Sequence, residues 1–436
     1  MKKLDLAILG CGSRAKIYAA IAATMGDRYR VVALADPSKE RREAVKMAGG
    51  CPAAAEFESA EHFLLAPKCA DVVVIATQDH QHREQAILSM ENGYDLLLEK
   101  PIATSLADVL AVEATASRLG RRVVVCHVLR YAGFYRRVRE IIDSGRLGQV
   151  ISIQATEGVG TFHQAHSFVR GHWGREEESS PMILAKSCHD MDLIQWLAGS
   201  KCAQVTSFGR VSFFRPENAP AGASDNCMED CPHSGTCPYD AHLYLSSENR
   251  WLQYIRPDLA EGPGDLTQTL SWLQQSPWSR CVYKCQNTAV DHQVVAMQFV
   301  NGITATFTMT AFAKGRSLQI YGTKGCLRGG ESFRQSFGCD LVMSPHAGGG
   351  EERITVDFLD VGYAGHGGGD YGLMNELYSQ MTAAVLPTNS QYIQDSTESH
   401  RMAFAAHTSR LNGGIPICPD DLETAEFTRV RQLSAG

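Results

Sequence analysis

No stretch of the 436-residue sequence comes near the roughly 18 uninterrupted apolar residues of a membrane-spanning helix, so no membrane partner is expected. Positive charge is not in excess. Lys and Arg number 41 against 48 Asp and Glu, and a net charge of -7 disfavours nucleic acid as a partner. A secretory leader is not expected either: Asp5 breaks the apolar run after the basic start "MKK", and glycines follow instead of a cleavage site. The chain therefore reads as cytoplasmic. In that reducing compartment its 14 cysteines are not expected to form a disulfide framework. What is present is an ordinary globular composition, 44% hydrophobic and 20% charged, long enough for about two domains.

The start "KLDLAILGCGSRAKIYAAIAA" is an apolar strand, a glycine turn and a helix. The turn Gly10-Cys11-Gly12-Ser13-Arg14-Ala15 matches G-x-G-x-x-A. Gly10 suits the tight turn, Gly12 lets the backbone approach a pyrophosphate, and Ala15 lets helix and strand pack closely. Ser13 and Arg14 open the helix, whose free N–H groups can face phosphates. A second strand, "RVVALADPS", ends in Asp36, where a carboxylate can accept the adenosine ribose hydroxyls and disfavour a 2′-phosphate, so NAD is the expected cofactor. The bland alternative is a solvated loop aspartate. Further strand–helix units follow to residue 126. The alternation predicts an α/β fold with a doubly wound parallel sheet. Its carboxyl edge would gather Asp36, Thr77, Glu99-Lys100-Pro101 and residues 127–131, with Arg130 and Tyr131 as candidates for touching substrate.

With "LLLEKPIA" the sequence resembles the Gfo/Idh/MocA family of NAD(P)-dependent sugar oxidoreductases. The resemblance rests on the glycine turn, Asp36, Thr77 and His82 of "ATQDHQH", and Glu99-Lys100-Pro101, while Gln78 and Asp79 depart from the family's turn. It implies a Rossmann domain over 1–126. A second α/β domain over 127–436 would follow, with an open mixed, mainly antiparallel sheet that often makes a homo-oligomer. Thr77, His82, Glu99, Lys100 and Pro101 would then border the cofactor. Lys100 would also reach the reacting hydroxyl, where an ammonium can orient it and relay its proton. "SSPMILAKSCHDMDLIQWLAG" reads as one helix and resembles the family's catalytic segment at His189, Asp192, Trp196 and Leu197. Ala185 stands where the family carries an aspartate, and Lys186 follows it. Three apart on one helical face, Lys186 and His189 become candidate catalytic bases beside Lys100.

The loop holding His163, His166, Arg170, His172 and Trp173 suits a polyhydroxylated ligand, with a His163/His166 metal site as the alternative. His366 and Asp370 head a late helix and border the same pocket, or Asp370 caps the helix. At about 215–285 a loop-rich insertion holds Cys227, Cys231 and Cys237, with Cys281 downstream. Four thiolates make a structural zinc site, with Cys285 or His233 as possible fourth ligand. Free thiols and an iron–sulfur cluster are the rival readings. The expected function is NAD-dependent redox chemistry on a ring hydroxyl of a small carbohydrate or glycoside. It ends either in a released keto-sugar or, through transient oxidation at carbon 3, in glycoside cleavage. An idle NAD-binding sensor is the reading from another class.

Overall fold

The computed structural model describes residues 2–246, 251–256, 265–330, 338–356, 365–384 and 393–422. Two sheets organise them. The first contains β1 (Leu4–Leu9), β2 (Tyr29–Ala35), β3 (Ala55–Phe57), β4 (Val72–Ile75), β5 (Asp95–Leu98) and β6 (Val123–Val125). All pairs are parallel, in the order β3-β2-β1-β4-β5-β6. β4 reads Val-Val-Val-Ile and is buried throughout, as a parallel strand covered by helices on both faces must be. The covering helices announce themselves locally. Ser38 and Ser105 accept the Arg41 and Asp108 N–H groups at helix starts, and Gly50 and Gly120 end those helices in the left-handed region. The strand order reverses between β1 and β4, and a crevice opens beyond their carboxyl ends.

The second sheet contains β7 (Val150–Val159), β8 (Cys202–Arg210), β9 (His292–Phe299), β10 (Thr304–Thr310), β11 (Lys314–Gly322), β12 (Gly325–Gly330), β13 (Leu341–Pro345) and β14 (Glu352–Ile354). The order is β14-β13-β12-β11-β7-β10-β9-β8, and β7 with β10 is the parallel pair among antiparallel ones. The fold is thus the expected parallel Rossmann sheet with a mixed, mainly antiparallel second sheet. Alternation along β9 sends Gln293, Val295, Met297 and Phe299 inward and leaves Val294, Ala296 and Gln298 exposed. Helices Cys188–Ala198 and Ile393–Leu411 cover the inner face. Residues 215–285 fall between β8 and β9 and contribute short helices and two small apolar clusters.

Late chain segments return to the first sheet. Helix Gly369–Thr382 packs on helix Ser13–Thr24, and the Tyr29 hydroxyl donates to the Met374 carbonyl at 2.5 Å. Helix Ile393–Leu411 touches β6 and helix Leu106–Leu119 as well as β8. Its buried His400 accepts the Ile102 N–H at 2.9 Å.

One expected helix divides. Met182–Ala185 and Cys188–Ala198 are separate, and Lys186 and Ser187 form the break. Lys186 and His189 therefore do not share a helical face. Among the described residues no helix is long and apolar enough to cross a membrane.

A buried ion pair anchors the longer of these helices to the end of the first sheet. Arg130 donates to both carboxylate oxygens of Asp192 at 2.7 Å, with both side chains under 9% exposed. Arg130→Met should lower unfolding stability by about 3–5 kcal/mol, because Asp192 would remain buried without its partner. Chemical denaturation of the two proteins measures this.

Candidate functional site

The crevice between β1 and β4 is a cradle for a phosphate-bearing ligand. Gly10 has φ +83°, and a Cβ there would lie 2.6 Å from the Ala76 carbonyl oxygen. The turn can therefore pack on the end of β4 only as glycine. A Cβ on Gly12 would meet nothing within 4 Å, so that side is open for a ligand. Gly12 also precedes helix Ser13–Thr24, whose first N–H groups have no side-chain cap. Asp36, buried at the end of β2, accepts the Cys11 N–H at 2.8 Å and the Ser38 N–H at 2.9 Å. Its carboxylate is thus fixed against the glycine turn and retains lone pairs for vicinal hydroxyls. These features fit a dinucleotide with a free adenosine ribose.

On the opposite wall, His82 clamps two loops. Its Nδ1 lies 2.7 Å from the Pro101 carbonyl oxygen and its Nε2 lies 3.2 Å from that of Thr77. The Thr77 hydroxyl donates to Gln85 at 2.7 Å. The Lys100–Pro101 peptide is cis. Glu99 points inward and accepts from Arg14 and from the Tyr18 hydroxyl, both at 2.6 Å. Burial alone would raise the Glu99 pKa, but Arg14 and Tyr18 hold it below the usual value. Arg14 continues to Asp370 at 2.5 Å, and the other Asp370 oxygen lies 3.0 Å from His366 Nδ1. Burial opposes ionisation of Asp370 as well, yet His366 and Arg14 bring its pKa down to about 2. Asp370 therefore caps no helix end. It links the glycine turn to His366, which is 39% exposed and sits at φ +53°.

Lys100 Nζ donates to the Ala185 carbonyl at 2.8 Å. The lysine is therefore held by the backbone of the very residue that replaces an expected aspartate. His189 is buried, and its ring centroid is 6.1 Å from that of His366 and 5.9 Å from that of His127. Burial, then the nearby Lys100 charge, pushes its pKa well below the ordinary value, so the imidazole is neutral. Its buried Nδ1 has no protein partner. Lys186 is paired with Glu157 on β7 at 3.2 Å. Burial lowers the Lys186 pKa in spite of Glu157. Arg316 of β11 sits 2.9 Å from Glu157 and donates to Asp190 at 2.8 Å. His163 lies in the field of Lys186 and Lys100, and burial first of all brings its pKa down to about 3. Lys100, Lys186, His189, His163 and His366 thus surround one region. Its contents are lysine amines and imidazoles, with His189 and His163 kept neutral by burial, a set able to move protons to and from hydroxyl oxygens.

Several expected residues lie elsewhere. Arg130 is committed to Asp192 and stacks on Trp196 at 5.7 Å, so its donors are unavailable to a substrate. Tyr131 packs under helix Gly369–Thr382, where the Gly372 backbone allows the approach. His166 Nδ1 pairs with the Tyr244 hydroxyl at 2.9 Å, inside an aromatic cluster with Trp251 and Trp278. Arg170 donates to the Arg280 and Tyr239 carbonyls, both at 2.7 Å, and faces the cysteines instead of the crevice. The Arg14 guanidinium gives Nε and Nη2 to Glu99, Tyr18 and Asp370, and its Nη1 is buried without a protein partner. Glu157 and Arg316 entered the site without a motif. A strand glutamate and a strand arginine carry no positional signal until β7 and β11 pair.

All 14 cysteines are free. The expected zinc tetrad is not assembled. Cys227, Cys231, Cys237 and Cys281 border one cavity, but among the described residues no group of three or more His, Cys, Asp or Glu side chains is placed to grip a metal. Their sulfurs and neighbours face separate partners: Arg170 donates to Cys227 Sγ at 3.2 Å, and Cys285 Sγ donates to the Cys281 carbonyl at 3.2 Å.

Comparison with known proteins fits this architecture. Residues 4–127 match the NAD-binding Rossmann domain of the Gfo/Idh/MocA oxidoreductase family, and 139–354 match its C-terminal α/β domain. The chain belongs to this family. It is 31% identical over 247 residues to inositol 2-dehydrogenase of Streptomyces avermitilis, covering 56% of this chain and 66% of that one. It is 26% identical over 180 residues to 2,7-anhydro-N-acetylneuraminate hydratase of Mediterraneibacter gnavus, covering 41% and 46%. The match thus spans less than two thirds of either relative. An oxidoreductase from Agrobacterium radiobacter, solved with NAD+, L-tartaric acid and magnesium, shares the fold with a TM-score of 0.68 at 16% identity, over 97% of this chain and all of that one.

The two glycines should separate folding from cofactor binding. Gly12→Ala should melt like the parent without cofactor yet bind NAD at least about tenfold more weakly, since the methyl enters the ligand's space. Gly10→Ala should already be destabilised without ligand, by about 1–3 kcal/mol from its strained φ. Calorimetry of both proteins with and without NAD reads the difference.

Buried neutral imidazoles also set an acid limit. Burial first of all depresses the His166 and His400 pKa values from 6.5 to about 3. Each stabilises the fold fully above 6.5, and stability falls as pH drops from there toward 3. The slope is up to about 1.4 kcal/mol per pH unit per histidine. His166→Gln should flatten the measured stability profile between pH 6 and about 4. An unchanged slope would remove His166 from that account.

Proposed function

We propose that this chain is an NAD-dependent oxidoreductase acting on a ring hydroxyl of a sugar or glycoside, and that it cleaves the glycosidic bond by a transient oxidation at carbon 3. The supporting observation is two separately held basic groups facing one region: His189 with an orphan Nδ1 beside Lys100, and Lys186 braced by Glu157. The likeness to a hydratase of an anhydro sugar points the same way. A plain dehydrogenase releasing a keto-sugar is the second reading, favoured by the inositol 2-dehydrogenase relative.

The cofactor supplies a hydride acceptor at its nicotinamide. The backbone of Gly10, Gly12, Ser13 and Arg14 would hold its pyrophosphate, and Asp36 the adenosine ribose. Thr77, His82, Glu99 and Pro101 would shape the nicotinamide side. Lys100, aligned by the Ala185 carbonyl, donates to the reacting hydroxyl, and His189 Nδ1 takes its proton as the carbinol hydrogen leaves. The resulting ketone acidifies the hydrogen on carbon 2. Lys186 would remove it, and burial lowers its pKa toward the neutral form that such a step needs. The aglycone then departs by elimination, water adds, and the hydride returns to the ketone. Glycoside and water become sugar and aglycone, with the cofactor recycled. His163 and His366 would hydrogen-bond other hydroxyls. In this reading the boundary between cofactor and substrate domains falls at 126/127. The exposed face of the second sheet, with Ile151, Val294, Ala296, Thr304, Thr306 and Tyr321, meets another copy of the chain.

Lys100→Met should bind NAD within a few fold of the parent and lose turnover by about 10²–10⁴, the usual range for a lost proton-transfer group. Retained turnover would remove Lys100 from the mechanism. A panel of aryl glycosides with and without added NAD, followed by aglycone release and NADH absorbance, separates the readings. Cleavage without net NADH supports glycoside cleavage, and stoichiometric NADH supports the dehydrogenase.

Asp36→Arg should weaken NAD binding and favour NADP, because a guanidinium can accept the 2′-phosphate while the Cys11 N–H loses its acceptor. Unchanged cofactor preference would place the ribose elsewhere.

A further inference from the structure

Away from the crevice, Cys227, Cys231, Cys237 and Cys281 border a cavity of about 20 Å³, room for one water-sized occupant. Arg170 forms another part of its wall and is only 4% exposed. Its Nε and one terminal nitrogen donate to the carbonyls of Arg280 and Tyr239, and that terminal nitrogen also reaches Cys227 Sγ at 3.2 Å. The other terminal nitrogen, Nη1, is buried with no acceptor. No carboxylate answers this guanidinium among the described residues. Asp240, the acid on the cavity wall, is taken up by Ser234, the Gly235 N–H and His242. A buried charge without a counter-charge is strongly destabilising. The thiols are the remaining lining groups that most readily become negative, and His233, which is neutral or positive, is bonded to the Ala221 carbonyl at 2.8 Å. Four adjacent thiolates would repel one another unless a cation lay between them.

We propose that this cavity binds one zinc-class divalent cation through the thiolates of Cys227, Cys231, Cys237 and Cys281. On binding, four S–H bonds give up their protons to solvent and four metal–sulfur bonds form, with no change of oxidation state. Such a centre carries a net charge of about -2, and Arg170 offsets part of it by donating N–H groups to the sulfurs. The sulfurs are not at bonding positions in this structure, so binding draws them inward by side-chain rotation. Cys285 is left out, because it does not line the cavity and its thiol is bonded to the Cys281 carbonyl. The centre reaches the catalytic region through one element. The helical segment 161–170 carries Arg170 at one end and His163 at the other, and His163 lies in the field of Lys100 and Lys186. Pinning the cysteines would therefore fix where His163 stands.

The test needs no substrate, so its outcome is independent of the proposed activity. The full chain, purified under reducing conditions without chelator, should carry about one zinc, and cobalt exchanged into the chelator-treated protein should give the sulfur-to-cobalt charge-transfer absorption of a tetrahedral thiolate site. Cys227→Ser and Cys237→Ser should retain below about a tenth of that metal, while Cys285→Ser keeps it. Absence of zinc together with failure of zinc or cobalt to bind the reconstituted parent overturns the proposal. So does bound cobalt without the charge-transfer band, which places the ion on nitrogen or oxygen. Should the serine variants not fold, the cobalt spectrum of the parent decides alone.

Discussion

The buried charge knot of Arg14, Glu99, Tyr18 and Asp370 is the interaction on which the candidate site depends. Arg14 comes from the glycine turn, Glu99 from the end of β5, and Asp370 from a helix hundreds of residues later. A guanidinium between two buried carboxylates is tolerable only because each charge answers another at hydrogen-bond distance. The knot ties the cofactor turn, the loop carrying Lys100 and the loop carrying His366 into one unit. A shift of any one would strand a charge, so the relative positions of Lys100 and His366 are set by electrostatics as much as by packing.

The second organising feature is a substitution. Where the resemblance leads one to expect an aspartate, Ala185 leaves only its backbone carbonyl to hold Lys100. The helix breaks directly afterwards, which sends Lys186 toward the strand carboxylate Glu157 and leaves His189 facing the crevice. Two basic groups that would have shared a face are thereby separated. The depressed pKa values of His189 and Lys186 are both products of desolvation, which burial imposes on the charged form of each group.

The first sheet was legible in the sequence because its information is local. Apolar runs of four to six residues, glycine at a turn of positive φ, and an acid at the end of the second strand each fix a short-range geometry. The chain's own backbone then enforces that geometry. Glu99-Lys100-Pro101 and His189 were found in the same way, as short motifs whose spacing survives folding. By contrast, Arg130 and Arg170 looked like free donors for a ligand. Their partners, Asp192 and the carbonyls of Arg280 and Tyr239, lie about 60 to 110 positions away in sequence and came within reach only in the fold.

The sequence by itself determined the fold class and the cofactor cradle and singled out Lys100 and His189 as candidates, since each follows from periodicity or from a motif a few residues long. Tertiary structure alone decided which charged groups are spent on one another. It paired β7 with β11 and so put Glu157, Arg316 and Lys186 together, and it turned Arg170 toward the cysteines. It also brought Asp370 back to Arg14. The physical reason is that a salt bridge or a buried hydrogen bond depends on distance in space. No period along the chain encodes which distant partner will neutralise a given charge once both have left water.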